Sequence, residues 1–281
     1  IWVTAPALAT ANVPASRRGA VLGALTATMG IALLLLSQGT TLFRKIVNND
    51  DAWRPIFGIE AAVTVAILVA VFVLVRPTAT VQQSQRGTLF SARALRSIPG
   101  WLLLVVCYTS FSALAGAWTQ FLGLALKEDA GFSSAHVNNL FSVFAVCGIV
   151  GPLLMGRLSD RIGRDRALAI AAAISVTASL LLTINAEPWS SIAVGLYGAG
   201  SFSVPILTAA AVRDHLDDRS FSTAYGTITI IYGIGSFSAA LLAGVIADWR
   251  DSFDLVYVLL GVLAAVSGIT ALMRFRLLRI G

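Results

Sequence analysis

The sequence predicts an all-α, polytopic membrane protein. Two observations carry that prediction: long apolar runs recur along the chain, and the basic residues fall on alternate sides of them. Each run has about 18 residues or more, enough to cross the ~30 Å hydrocarbon layer as a helix. Lipid offers no partner to a backbone N–H or C=O, so only helices and closed barrels can span it. The runs are continuously apolar and lack the period-2 alternation of barrel strands, which selects helices. Composition agrees, because 57% of the residues are hydrophobic and 12% charged, against about 25% charged in a soluble domain.

Taken in order, the short apolar stretch from Trp2 to Ala11 has neither the charged n-region nor the cleavage site of a signal peptide. It reads as the end of a helix that begins upstream. Complete spans are expected at approximately 19–42, 55–75, 101–126, 135–156, 167–185, 190–212, 221–247 and 253–273. The longest polar connector, Arg76 to Pro99, is rich in Gln and Arg and reads as a linker. The expected organisation is therefore residues 1–75 as the remainder of one helical bundle, 76–100 as a cytoplasmic linker, and 101–281 as a six-helix bundle.

Charge sets the orientation. With these spans, fifteen Lys and Arg residues fall on one side and five on the other (Arg44, Lys45, Arg54, Lys127 and Arg250), with none inside a span. The richer side is expected to be cytoplasmic, which puts the loops at 17–18, 76–100, 157–166 and 213–220 and the C-terminus there, and the protein in a cytoplasmic (inner) membrane. The net charge of +6 does not point to nucleic acid, because the arginines sit in short loops and build no basic face with interleaved aromatics. Cys107 and Cys147 lie within spans, with no CxxC pair and no His at ligand spacing, so neither a disulfide framework, a metal site nor any cofactor is expected.

An internal repeat follows. Arg18, Gly19 and Gly23 lead into a glycine-bearing span that ends in Trp53-Arg54, with Phe57 beyond. Arg219 and Gly226 open a similar span that ends in Trp249-Arg250, with Phe253 beyond. The offset of about 200 residues fits a repeat of six helices.

The most specific local pattern is Gly156-Arg-Leu-Ser-Asp160-Arg161-Ile-Gly163-Arg164-Asp-Arg166, on a short loop between two spans. A carboxylate among guanidinium donors at a membrane surface forms charge-assisted hydrogen bonds of defined geometry, and Gly163 permits a tight turn. The segment resembles the loop signature of the major facilitator superfamily, G-x-L-x-D-R-x-G-R-[RK], in its second copy between helices eight and nine. The resemblance implies a twelve-helix fold, of which this chain would hold the end of helix four through helix twelve. It also implies a latch on the cytoplasmic side: Gly156, Asp160, Arg161, Gly163, Arg164 and Arg166, with Asp160 paired to Arg161 and Arg164 or to a neighbouring helix N-terminus. Asp165 departs from the usual basic residue, and Arg166 is expected to supply that charge one place later.

Glycines also recur within the spans, at Gly148, Gly151, Gly195, Gly198, Gly200, Gly233 and Gly235, and are expected to let helices pack closely. Polar and aromatic groups within spans are costly to expose to lipid and are candidates for an interior substrate cavity. These are Tyr108, Ser112, Trp118, Thr119 and Gln120 on the seventh helix of the family's count, Tyr197, Ser201 and Ser203 on the tenth, and Tyr225, Thr229 and Tyr232 on the eleventh. The resemblance adds weight to the first two groups, since helices seven and ten line the cavity in the family. Glu60 is the acidic residue clearly within a span and is the candidate for proton coupling, with a structural pair to Arg54 as the competing reading.

The resemblance implies a secondary transporter that moves a small solute by alternating access, with the lipid bilayer, that solute and protons as expected partners. A transporter-like sensor or scaffold without flux, or an inactive truncated remnant, is the alternative. An enzyme is not expected, because Glu60 stands alone at its depth and a membrane-embedded site needs several convergent groups.

Overall fold

A computed structural model describes residues 4–10, 13–47, 53–74 and 92–280. Most of the predicted linker, 76–91, lies outside the described residues. The described residues form helices throughout: α1 (Thr4–Thr10), a 3-10 turn at Ala15–Arg17, α2 (Arg18–Val47), α3 (Trp53–Leu74), α4 (Ala92–Arg96), α5 (Trp101–Glu128), α6 (Ser134–Ile162), α7 (Arg164–Leu182), α8 (Trp189–Ser201), α9 (Ser203–Arg213), α10 (Asp218–Arg250) and α11 (Asp254–Ile280). Among the described residues, eight stretches are long and apolar enough to cross a membrane, one for each predicted span. α8 and α9 together make one of them, Trp189–Arg213. The break falls at Phe202, where Pro205 removes a donor and its ring crowds the carbonyl of Ser201.

The chain divides into two compact units, residues 1–34 with 89–281, and residues 35–88. The second unit holds the end of α2 and α3, a helix apolar from Ala61 to Leu74 but for Thr64. In the first unit, α11 packs along α7 and α5, α10 along α5, and α6 along α8. An aromatic stack fills its core. Trp118 lies on Tyr197 with ring centroids 3.7 Å apart, Phe144 sits beside both at 6.4 and 5.9 Å, and Tyr257 meets the indole edge-on at 5.6 Å. The outer face is apolar too, with Phe237 68% and Trp249 75% exposed, a surface suited to lipid rather than water.

The predicted glycines account for most of the close approaches. A Cβ on Gly19 or Gly23 of α2 would strike the backbone of Gly156 or Pro152 on α6, one on Gly151 the backbone of Ala199, and one on Gly235 the hydroxyl of Ser112. Gly233 is different, with open space beside it.

Loop ends that the charge count places on one side are joined in the first unit. Arg18, Asp160, Arg164 and Asp214 meet at one end, and Arg274 bonds the Pro99 carbonyl there. At the other end, Asp129 accepts the N–H of Phe253 at 2.7 Å, Asn185 donates to Asp254 at 2.8 Å, and His136 meets Glu187 at 2.8 Å. Partial burial alone would raise the Glu187 carboxyl, but hydrogen bonds from Ser191 and His136 outweigh it and hold it below its ordinary value.

Candidate functional site

The Asp160 carboxylate sits on the last turns of α6 with its side chain 9% exposed, beside Arg164 at 10%. Its two oxygens bond different backbone donors: Oδ1 accepts the N–H of Gly19 and Oδ2 that of Ala20, each at 3.1 Å. These are first-turn amides of α2, which have no partner inside their own helix, and the positive end of the helix dipole adds to the attraction. Arg164, one turn after Asp160 on α7, donates to Oδ1 and, at 2.7 Å, to the Ser159 hydroxyl.

The arrangement needs its glycines. Gly156 and Gly19 touch backbone to backbone, so any side chain at either would push α2 away from Asp160. Gly163 closes α6 and opens α7 with φ 93° and ψ 155°, a conformation that side chains rarely adopt, and this turn swings Arg164 back over Asp160. Asp214, just past α9, completes the set: Oδ2 accepts from Arg164 Nε at 3.0 Å, and Oδ1 from Arg18 at 3.4 Å. One guanidinium therefore holds two carboxylates, and the cluster ties α2, α6, α7 and the end of α9 together.

Among the predicted latch residues, Gly156, Asp160, Gly163 and Arg164 come together. Arg161 and Arg166 are exposed, and among the described residues neither reaches Asp160. Arg166 lies over the Phe275 ring instead, 4.2 Å from its centroid. Asp214 stands outside the sequence pattern, and an acid beside Arg213 on a basic-side loop is the only trace it leaves there. Asp165 is not a lost basic position, since it forms a buried ion pair with Arg274 of α11, whose Nε also donates to the Pro99 carbonyl at 3.2 Å.

The cavity candidates separate into two clusters. Tyr108 of α5 is buried against Tyr232 of α10 with centroids 4.7 Å apart, and Tyr225 donates to the Pro205 carbonyl at 3.2 Å. Trp118 and Tyr197 form the core stack, fully buried, and the indole N–H meets no hydrogen-bond acceptor among the described residues. Several hydroxyls bond to their own helices, Ser112 to Thr109, Thr119 to Ala115 and Thr229 to Tyr225, and Ser203 bonds across the α8–α9 break to Ala199, each through a backbone carbonyl. Ser201 is buried, whereas Thr119 and Gln120 are exposed. Tyr225 also borders a cavity of about 300 Å³ lined by Pro6, Leu25, Thr26, Met29, Pro205 and Ile206 among others. Glu60 is half-buried on α3, in the other unit.

Eight helical segments of membrane-crossing length among the described residues, several of them bound at one end by this polar junction, define a polytopic helical membrane protein. The sequence profile of the Major Facilitator Superfamily matches residues 100–279, so the chain belongs to that family. Curated relatives include the gentisate transporter of Corynebacterium glutamicum, 28% identical over 54% of this chain and 34% of the relative. The multidrug resistance protein MdtG of Serratia proteamaculans is 29% identical over 66% of the chain and 45% of the relative. A probable sugar efflux transporter of Helicobacter pylori is 25% identical over 87% and 61%. The chain thus spans less than two thirds of the length of these relatives. Among solved structures, a variant of the E. coli fucose:proton symporter, FucP, superposes with a TM-score of 0.69 at 16% identity, covering 97% of this chain and 72% of that one.

Proposed function

We propose that this chain is part of a secondary transporter that moves a small solute across a cytoplasmic membrane by alternating access, with residues 1–75 and 101–281 as parts of two bundles joined by the 76–100 linker. The Asp160 junction is the observation that supports this reading most. It joins α2, in the front part, to the α6–α7 turn of the six-helix bundle through two backbone hydrogen bonds and a shared arginine. Hydrogen bonds to a charged group are worth about 1.5–3 kcal/mol each. Two conformations that both carry population differ by a few kcal/mol. A junction of this size biases such an equilibrium without locking it, as a latch on the cytoplasmic side must.

Names of the relatives point to gentisate, drugs and sugars, so they support a small solute and no single class. FucP is named as a proton symporter. In this chain Glu60 is the group proposed to carry a coupled proton.

The test is solute flux into liposomes carrying the protein as its cell makes it, screened with radiolabelled sugars and aromatic acids, with and without a pH gradient. Flux of at least one solute is expected, falling by ~tenfold in Asp160→Asn, equivalent to about 1.4 kcal/mol. Glu60→Gln should remove the gradient's effect. Binding of a solute without flux would favour the sensor reading, and wild-type flux in Asp160→Asn would remove the latch.

A further inference from the structure

Three guanidinium groups at the end of the first unit that holds the junction are neutralised by carboxylates. Arg164 is shared by Asp160 and Asp214, Arg18 takes the other oxygen of Asp214, and Arg274 takes Asp165. Arg166 and Arg279 are among the others at this end. Both are exposed, and among the described residues no carboxylate lies within ion-pair distance of either. Both are nevertheless positioned by the same ring: Arg166 from the first turn of α7 and Arg279 from the last turn of α11 lie 4.2 and 5.2 Å from the centroid of Phe275. Phe275 and Arg279 are four residues apart on one helix face, and α7 packs along α11, so the pair is built by the fold.

Two guanidinium groups gathered at one ring concentrate positive charge at the membrane surface, and that attracts an anion. Guanidinium forks match phosphate oxygens in a bidentate geometry. The surface beyond the arginines decides which phosphate. Further along the two helices stand Ile170, one turn from Arg166 and 39% exposed, and Leu272, two turns from Arg279 and 47% exposed, on the face that continues across the apolar layer. A free phosphate has no use for that strip, whereas a lipid has an acyl chain to lay on it.

We propose that Arg166, Phe275 and Arg279 form a binding site for the phosphodiester headgroup of an anionic membrane lipid, with its chains along Ile170 and Leu272. The site is independent of whether the protein carries out transport, because it uses only the membrane-spanning fold. A basic residue near an anionic surface contributes about fivefold in affinity.

The experiment is native mass spectrometry of the full protein released from micelles containing equimolar phosphatidylglycerol and phosphatidylcholine. Preferential retention of phosphatidylglycerol is expected, lowered about 25-fold in R166Q/R279Q and unchanged in R157Q, an exposed arginine elsewhere on α6. Phe275→Leu keeps an apolar side chain but removes the ring, and should lower retention to an intermediate level even if the double variant folds poorly. Equal retention of the two lipids by the wild type, or undiminished preference in both R166Q/R279Q and Phe275→Leu, would overturn the site. Displacement of the lipid by millimolar inorganic phosphate would overturn its assignment to a lipid.

Discussion

Asp165 and Arg274 show what a single residue can do against its family pattern. The side chains are 8% and 1% exposed, and Arg274 binds Asp165 and the Pro99 carbonyl while shut off from solvent. Its aliphatic stem also closes on Gly100, whose φ of 65° makes the turn into α5, so one side chain fastens the linker's exit, α7 and α11. Removing one partner leaves a buried charge uncompensated, so Asp165→Asn or Arg274→Gln should destabilise by about 3–5 kcal/mol. Replacing both, as in Asp165→Leu with Arg274→Met, should cost far less, because the desolvation of two charges is recovered. Thermal unfolding in detergent of the two single variants and the double variant checks this. Equal losses in all three would mean that the pair acts only through its volume.

At the scale of elements, the glycine contacts set where helices meet. Gly156→Ala places a methyl group against the backbone of Gly19, which has no side chain to move aside, so α2 must shift away from α6 at a cost of about 1–3 kcal/mol. Gly233→Ala, with open space beside it, should be neutral or stabilising by up to about 1 kcal/mol. Unfolding of the two variants in parallel measures both, and equal effects would remove close packing as the reason for Gly156. The same contrast shows what sequence could and could not reveal. Hydropathy marks all eight crossing segments, because lipid tolerates little else, but it ends the fourth span at 156 whereas α6 runs to Ile162. The last turns carry Arg157, Asp160 and Arg161, which continue the helix outside the apolar layer, where hydropathy has nothing to measure. Asp160 and its helix N-terminus were legible from the motif. Arg274 was not, since it lies 109 residues from its partner and nothing local marks the pairing. Thr119 and Gln120 look alike with Ser112 in sequence, and only packing separates the exposed pair from the buried serine.

For the whole molecule, the central claim rests on the proposed latch: the ends of α2, α6, α7 and α9 form one polar junction whose opening is the conformational change. The junction draws together residues from Arg18 to Asp214. Its donors and acceptors pair across four helix ends, so losing one carboxylate should loosen the rest. The most direct test is the distance between spin labels at Arg17 and Arg161, both exposed and flanking the junction, in the full protein in lipid nanodiscs. A single short distance is expected in the wild type, with a second, longer population appearing in Asp160→Asn. An unchanged single distance in that variant would contradict the account.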